Sequence, residues 1–126
     1  MFAFRQRQQL THVLFVVFVL LGTPELVFPQ GITGTIAGTV KDAQGGVVPG
    51  ATVTLTSESR GTVSTPVTTN ATGDFVFPNL TADTYTVQVE MPSFRILRRG
   101  KVEVNPGARV ALGTLTIEVG GTTEVI

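Results

Sequence analysis

Hydrophobic and polar residues alternate most regularly between Gly73 and Glu90, where the sequence reads GDFVFPNLTADTYTVQVE. A period of two places successive side chains on opposite faces of a β-strand. The pattern therefore predicts two strands joined by a turn through Pro78-Asn79, with Leu80 as an anchor after the turn. Since each strand buries one face only, a second sheet has to cover that face, which indicates a β-sandwich or barrel.

The segments before this stretch show the same alternation. Thr35–Lys41 and Ala51–Thr56 each place apolar residues on one face. A third strand is expected around 62–69, but Pro66 cannot donate a ladder hydrogen bond, so this strand should lie at an edge or bend there. The residues of the chain assigned to one buried cluster are Val53, Leu55, Phe75, Phe77, Leu80, Tyr85, Val87 and Val89.

The alternation weakens after Glu90 and then resumes near residue 102. A last strand is expected from about Arg109 to Val119, but the positions of its apolar residues change parity near Gly113. Either a bulge shifts the phase there, or Gly113 faces inward and Leu112 is exposed. Turn signals recur at roughly 8–12 residue spacing, which is typical of an all-β sandwich.

Composition narrows the classes of function. The chain has 126 residues, which suits one domain, and its nine basic and nine acidic residues give no field that would attract nucleic acid. It contains no Cys, and His12 is its single His. The usual nucleophile–base pairs and zinc sites are therefore missing after the N-terminal segment, and we predict no catalytic, cofactor-binding or metal site.

The N-terminus is typical of a secretory signal peptide. Arg5 and Arg7 precede the apolar run 13–21, and Pro24 follows shortly after it. A membrane-spanning helix needs roughly 20 apolar residues, so this run is short for one, although an uncleaved anchor is an alternative. We therefore expect a signal peptide at 1–30, a β-domain at 31–120, and a tail or linker at 121–126. The protein should be exported to the periplasm or outer membrane, with secretion as the alternative.

Several of these motifs together resemble the carboxypeptidase regulatory-like domain. They are Gly38-x-Val40-x-Asp42-x-x-Gly45, Pro49-Gly50-Ala51-x-Val53-x-Leu55, Gly73-x-Phe75-x-Phe77-x-x-Leu80 and Tyr85-x-Val87-x-Val89. The resemblance covers about residues 33–119. It implies a seven-stranded antiparallel β-sandwich of the transthyretin-like, or immunoglobulin-like, Greek-key type.

The position of the domain after a signal peptide resembles the N-terminal extension of bacterial TonB-dependent outer-membrane receptors, and residues 115–126 look like the junction before a receptor plug. This resemblance implies a non-catalytic module whose partner is a protein, either the receptor's own plug and barrel or a periplasmic component. The sequence itself contains no plug or barrel. A receptor of this kind would associate with the outer membrane through its barrel. The alternative is a free-standing secreted module that binds carbohydrate or a cell-surface partner, which an exposed aromatic platform would favour.

Few polar residues are candidates for a site. Arg95, Arg98, Arg99 and Lys101 form the one charge cluster, which either contacts a partner or keeps a sheet edge solvated. Three aspartates, Asp42, Asp74 and Asp83, are expected to form turns instead of binding calcium, with little reason for their pKa values to shift. The hydroxyl of Tyr85 either meets a ligand or bonds to upstream backbone, as in a tyrosine corner.

Overall fold

The structure, a computed structural model, describes Gly22, Pro24, residues 32–121 and Glu124–Ile126. Most of the expected signal peptide lies outside the described residues. The strands are β1 (Gly34–Asp42), β2 (Thr52–Ser57), β3 (Val67–Thr68), β4 (Asp74–Leu80), β5 (Asp83–Glu90), β6 (Leu97–Val104), β7 (Arg109–Ile117) and β8 (Glu124–Val125). Within these residues, no helix has the length and apolar character needed to cross a membrane.

The strands form two sheets that pack as a sandwich. One sheet has the order β4–β1–β7 and the other has the order β3–β2–β5–β6–β8. The predicted all-β sandwich is confirmed. Most neighbours are antiparallel, as expected, but β1 and β7 pair in parallel, and so do β6 and β8. A parallel pair needs a long crossover connection, and here the chain between β1 and β7 supplies it by forming β4 of the same sheet and four strands of the opposite sheet.

The core lies between the two sheets. All but one of the residues assigned to the apolar cluster are buried, and Leu80 is half-buried and packs against them. Phe75 and Phe77 meet edge to face, with ring centroids 6.0 Å apart and an interplanar angle of 67°. Gly38 lies under the Phe75 ring, because a Cβ at that position would stand 2.7 Å from Phe75 Cζ. The absence of a side chain on β1 therefore makes room for the aromatic ring.

The prediction of a turn at Pro78-Asn79 is wrong. Strand β4 continues through both residues to Leu80, and the chain reverses only before β5 begins at Asp83. Asn79 has a φ of 57°, and the register with β1 shifts nearby, between Gly34 and Ile36. Since β4 is an edge strand, a proline and an irregular register are tolerated there without the loss of a ladder partner on both sides.

Two other strands differ in length from their predictions. The third strand is reduced to Val67–Thr68, directly after Pro66, and it lies at the edge of its sheet. In β7, Gly113 has a φ of 69° and the register with β1 shifts beside it, so a bulge explains the change of parity. Strand β7 ends at Ile117, and Val119 beyond it is exposed.

The turn before β4 depends on Gly73. Its φ is 77°, a region in which a side chain is strained, and an added Cβ would stand 2.6 Å from the carbonyl oxygen of Val40. The Asn70 side chain supports the turn by accepting hydrogen bonds from the backbone N–H groups of Thr72 and Asp74 at 3.0 and 2.9 Å. This turn places β4 in register beside β1.

Candidate interaction surface

The four basic residues of the 95–101 segment do not form one continuous patch. Arg98 is exposed, and its Nε donates a hydrogen bond to Gln88 Oε1 at 2.8 Å on the outer face of the sheet. Arg99 is half-buried, and its Nη1 donates to the carbonyl oxygen of Leu112 at 3.3 Å, which bridges the two sheets. Neighbouring arginines thus face different surroundings, and only part of the cluster is available to a partner.

Strand β6 contains a bulge between Arg99 and Val102. Tyr85 pairs with Val102, whereas Val87 pairs with Arg99, so β6 carries one extra residue between the two positions. Lys101 has a φ of 56° at this bulge, and its side chain is exposed. The one extra residue shifts the phase of β6, so that the alternation seen after Lys101 does not continue back through Arg99.

Glu58 supports the bulge, a role that the sequence pattern did not reveal. Its Oε1 accepts hydrogen bonds from the backbone N–H of Lys101 at 2.9 Å and from Thr86 Oγ1 at 3.0 Å. The acid lies 43 residues from Lys101 along the chain, so no local pattern connects the two. The local sequence around Glu58, the polar run Ser57–Arg60, is typical of a loop and does not indicate this partner.

The chain after β7 crosses from one sheet to the other and makes a first contact there. The backbone N–H of Arg95 donates to the carbonyl oxygen of Glu118 at 2.7 Å, and that of Gly120 donates to Ser93 at 3.1 Å. The Arg95 guanidinium also lies 3.7 Å from the Glu118 carboxylate. This contact holds residues 118–120 against the segment that precedes β6.

A second contact follows at the edge of β6. Strand β8 pairs in parallel with β6, so that Glu124 lies opposite Leu97 and Val125 lies opposite Arg98. The backbone N–H of Ile126 donates to the carbonyl oxygen of Arg98 at 2.8 Å. The edge of β6 therefore accepts an extended segment through its backbone groups.

A groove of about 440 Å³ opens beside the first contact. It is lined by Thr52, Glu90, Met91, Pro92, Ser93, Phe94 and Ile96. Phe94 is half-buried and packs against the core, so it does not present a flat aromatic face. The groove is mainly apolar, with one carboxylate at its rim.

Asp83 is the centre of a polar network at the other end of β5. Ser57 Oγ donates a hydrogen bond to its carboxylate, Ser59 Oγ donates at 2.8 Å, and Arg60 Nε lies 3.5 Å away. These hydrogen bonds, that from Ser57 above all, hold the pKa of Asp83 below its ordinary value. The carboxylate joins the loop after β2 to the start of β5, so its contacts are structural.

Asp74 and Asp42 also accept hydrogen bonds from nearby groups. The Thr39 hydroxyl, followed by that of Thr72 at 2.6 Å, lowers the pKa of Asp74. The expectation of unshifted aspartate pKa values is therefore wrong for Asp74 and Asp83, because serine and threonine hydroxyls from other strands and from adjoining turns converge on them. Asp42 Oδ1 accepts hydrogen bonds from the backbone N–H groups of Gln44 and Gly46 at 2.9 Å and forms the expected turn.

Among the described residues, no group of three or more His, Cys, Asp or Glu side chains could hold a metal ion.

The Tyr85 hydroxyl has a backbone partner. It donates to the carbonyl oxygen of Thr81 at 2.6 Å, four residues upstream, while the ring is buried. This geometry is that of a tyrosine corner and leaves the hydroxyl engaged within the fold.

Comparison with known families assigns the domain to a family. The family model of the carboxypeptidase regulatory-like domain matches residues 35–122. The chain belongs to this family. No curated protein matches the chain in sequence.

Solved structures share the fold of this carboxypeptidase regulatory-like domain. A chain of the type II Cohesin-X-Dockerin complex from Acetivibrio cellulolyticus aligns with a TM-score of 0.56 and 20% identity over 71% of this chain and 60% of that one. GBS52, the minor pilin of Streptococcus agalactiae, aligns with a TM-score of 0.57 and 13% identity over 76% of this chain and 48% of that one.

A third structure is a Bacteroides uniformis protein to which carbohydrate binding has been ascribed. It aligns with a TM-score of 0.54 and 19% identity over 69% of this chain and 42% of that one. The chain thus spans between about two-fifths and three-fifths of the length of these three proteins. At these identities the likeness shows a common β-sandwich fold.

Proposed function

We propose that the chain is a non-catalytic interaction module that works as the N-terminal periplasmic domain of a TonB-dependent outer-membrane receptor. Its membership of the carboxypeptidase regulatory-like family supports this role, together with the basic and apolar N-terminal segment that precedes the domain. The role in interaction rests on the edge of β6, where backbone groups hold the extended segment β8.

Strand addition of this kind is a general mode of protein docking. Main-chain hydrogen bonds provide the affinity, and side chains beside the edge provide the specificity. The exposed side chains of β6 are those of Arg98, Lys101 and Glu103, and the basic ones lie nearest the positions that pair with β8. An extended partner with an acidic residue near Arg98 would therefore fit best. The module would work by holding a neighbouring segment in place.

The polar groups of the domain support a role without catalysis. The two carboxylates with shifted pKa values, Asp74 and Asp83, have lowered values, and each is held by hydroxyl donors of the fold. A general base for work near neutral pH usually needs a raised carboxylate pKa. The carboxylates therefore serve the fold as hydrogen-bond acceptors.

Export is tested by expressing the chain from its own Met1 in a bacterium with two membranes. We expect the periplasmic or outer-membrane fraction to contain a shortened form that starts near Gly31, as N-terminal sequencing would show. Intact Met1 on protein from the cytoplasmic fraction alone would contradict the export proposal.

Docking is tested by placing a photo-crosslinking amino acid at Lys101 on β6, with Thr116 on β7 as the matched control. Both side chains are exposed, but they lie on strands of different sheets. We expect crosslinks to an envelope protein, such as a receptor barrel or a periplasmic component, from position 101 and few from position 116. Equal crosslinking from both positions would show that β6 is not the docking edge.

A second candidate function, a secreted module that binds carbohydrate or a cell-surface partner, is favoured by the groove beside Met91 and Ile96. The similarity in fold to the Bacteroides uniformis protein is consistent with it. A glycan array probed with the purified protein tests this function, with Ile96→Asp as a groove variant and Val76→Asp as a control on the other sheet. Glycan binding that Ile96→Asp alone abolishes would favour this second function.

A further inference from the structure

We propose that two copies of this chain associate by exchanging their C-terminal segments, so that β8 of one copy pairs with β6 of the other. The inference is independent of the proposed receptor context. It begins from the fact that the chain already contains both halves of the interface, an acceptor edge and the segment that occupies it. A second copy carries the same segment and therefore the same complementarity.

The first step concerns how β8 is held. Among the described residues, it pairs only with Leu97 and Arg98 of the eight-residue strand β6. The side chains of Val125 and Ile126 are 75% and 65% exposed, so they add little packing to the backbone contact. Detaching β8 therefore breaks a few edge hydrogen bonds and does not open the core.

The second step concerns the chain between the two contacts. Gly120 is the last residue of the first contact, which holds Glu118 and Gly120 against Ser93 and Arg95, and Gly121 follows it. An added Cβ at Gly121 would meet nothing within 4 Å, so this position is open and unrestrained. A glycine directly after a fixed contact is suited to redirecting β8 away from its own domain, because glycine has the widest choice of backbone angles.

The third step concerns the energetic balance between the closed and the exchanged form. The same hydrogen bonds form in both, and the chain has a formal net charge of +0, so copies do not repel one another. Exposed apolar side chains at Val119 and Val125 would also be partly covered when two copies meet. A short tether gives the intramolecular segment an effective concentration on the order of 1 mM, so exchange should become prominent only as the protein approaches that range.

A mixed crosslinking experiment tests the exchange directly, using the full chain as the cell processes it. The chain has no cysteine, so Arg98→Cys and Val125→Cys can be introduced on separate copies and joined with a short bismaleimide. These positions face each other across β6 and β8. We expect a covalent heterodimer whose yield rises at least 10-fold between about 10 μM and about 1 mM, following the effective concentration.

The matched control mixes Arg98→Cys with Thr116→Cys, an exposed position on β7 that does not face β6. A heterodimer yield that is no higher with Val125→Cys than with Thr116→Cys, or no heterodimer at about 1 mM, would overturn the proposal. Circular dichroism of each variant checks that the sandwich is retained.

A second variant needs no cysteine and separates exchange from general stickiness. A stop codon in place of Glu124 removes β8 but leaves the first contact and both sheets otherwise complete. Sedimentation should show the dimer fraction of the intact chain at high concentration fall at least 5-fold in the shortened chain. An unchanged dimer fraction, or a strictly monomeric intact chain at about 1 mM, would show that β8 does not join two copies.

Discussion

Phe75→Ala should be among the most destabilising single substitutions in the domain. The Phe75 side chain is 3% exposed, and its ring meets Phe77 edge to face. Gly38 lies beneath the ring and has no side chain that could move into the space left by the substitution. The cavity should therefore persist, and the loss of unfolding free energy should fall within the range of about 3–5 kcal/mol found for such truncations.

A matched control is available one residue along the same strand. Val76 is 50% exposed and faces away from the core, so Val76→Ala should cost less than about 1 kcal/mol. The two variants share the strand and the edge position and differ in the face that is truncated. Phe75→Leu offers a milder change at the buried site, in case the alanine variant is too unstable to purify.

Urea unfolding followed by far-UV circular dichroism measures these differences. The single Tyr, Tyr85, is buried and provides a second optical probe in a chain without Trp. A typical domain has about 5–15 kcal/mol of stability, so the expected loss should shift the midpoint strongly. A loss below about 1 kcal/mol for Phe75→Ala, or equal losses for Phe75→Ala and Val76→Ala, would refute the assignment of the Phe75 ring to the core.

Three further predictions concern hydrogen bonds and backbone strain. Tyr85→Phe should lower the unfolding free energy by about 1 kcal/mol through loss of the bond to Thr81, and an unchanged urea midpoint would contradict this. Gly73→Ala should cost more than about 1 kcal/mol in the same assay because of its positive φ and its approach to backbone, whereas a stabilised variant would show that the turn rearranges freely. The lowered folded-state pKa values of Asp74 and Asp83 stabilise the protein above the ordinary carboxylate range, and this contribution should disappear as the pH falls through the folded values. Asp83→Asn and Asp74→Asn should each flatten the loss of stability between about pH 5 and pH 2, and unaltered profiles in both would contradict the prediction.

The sequence was most informative where side chains alternate without interruption. Phe75, Phe77 and Val87 lie on the side that their parity indicated, because a strand has only two faces and one of them is apolar. The bulge beside Gly113 was one of two alternatives that the change of parity allowed, and the positive φ of that glycine distinguishes them.

Features that depend on distant partners could not be read from the sequence in the same way. Glu58 meets the bulge at Lys101, and Ser57 meets Asp83, although neither pair is close along the chain. Parity also could not show that Arg99 reaches Leu112, since the bulge that turns it inward depends on its pairing with β5. Which strands pair depends on residues that are far apart in the sequence, and alternation within one strand does not show it.

The parallel pairing of β1 with β7 has a consequence for how the protein folds. Strand β1 is the central strand of its sheet, yet one of its two neighbours is the last long strand of the domain. The three-stranded sheet therefore cannot close until almost the whole domain has emerged from the ribosome. Long-range pairing of this kind slows folding and prolongs the exposure of unpaired edges. A chain that is released slowly would spend that interval with one backbone edge of β1 unpaired, and this is when a chaperone would have most to bind.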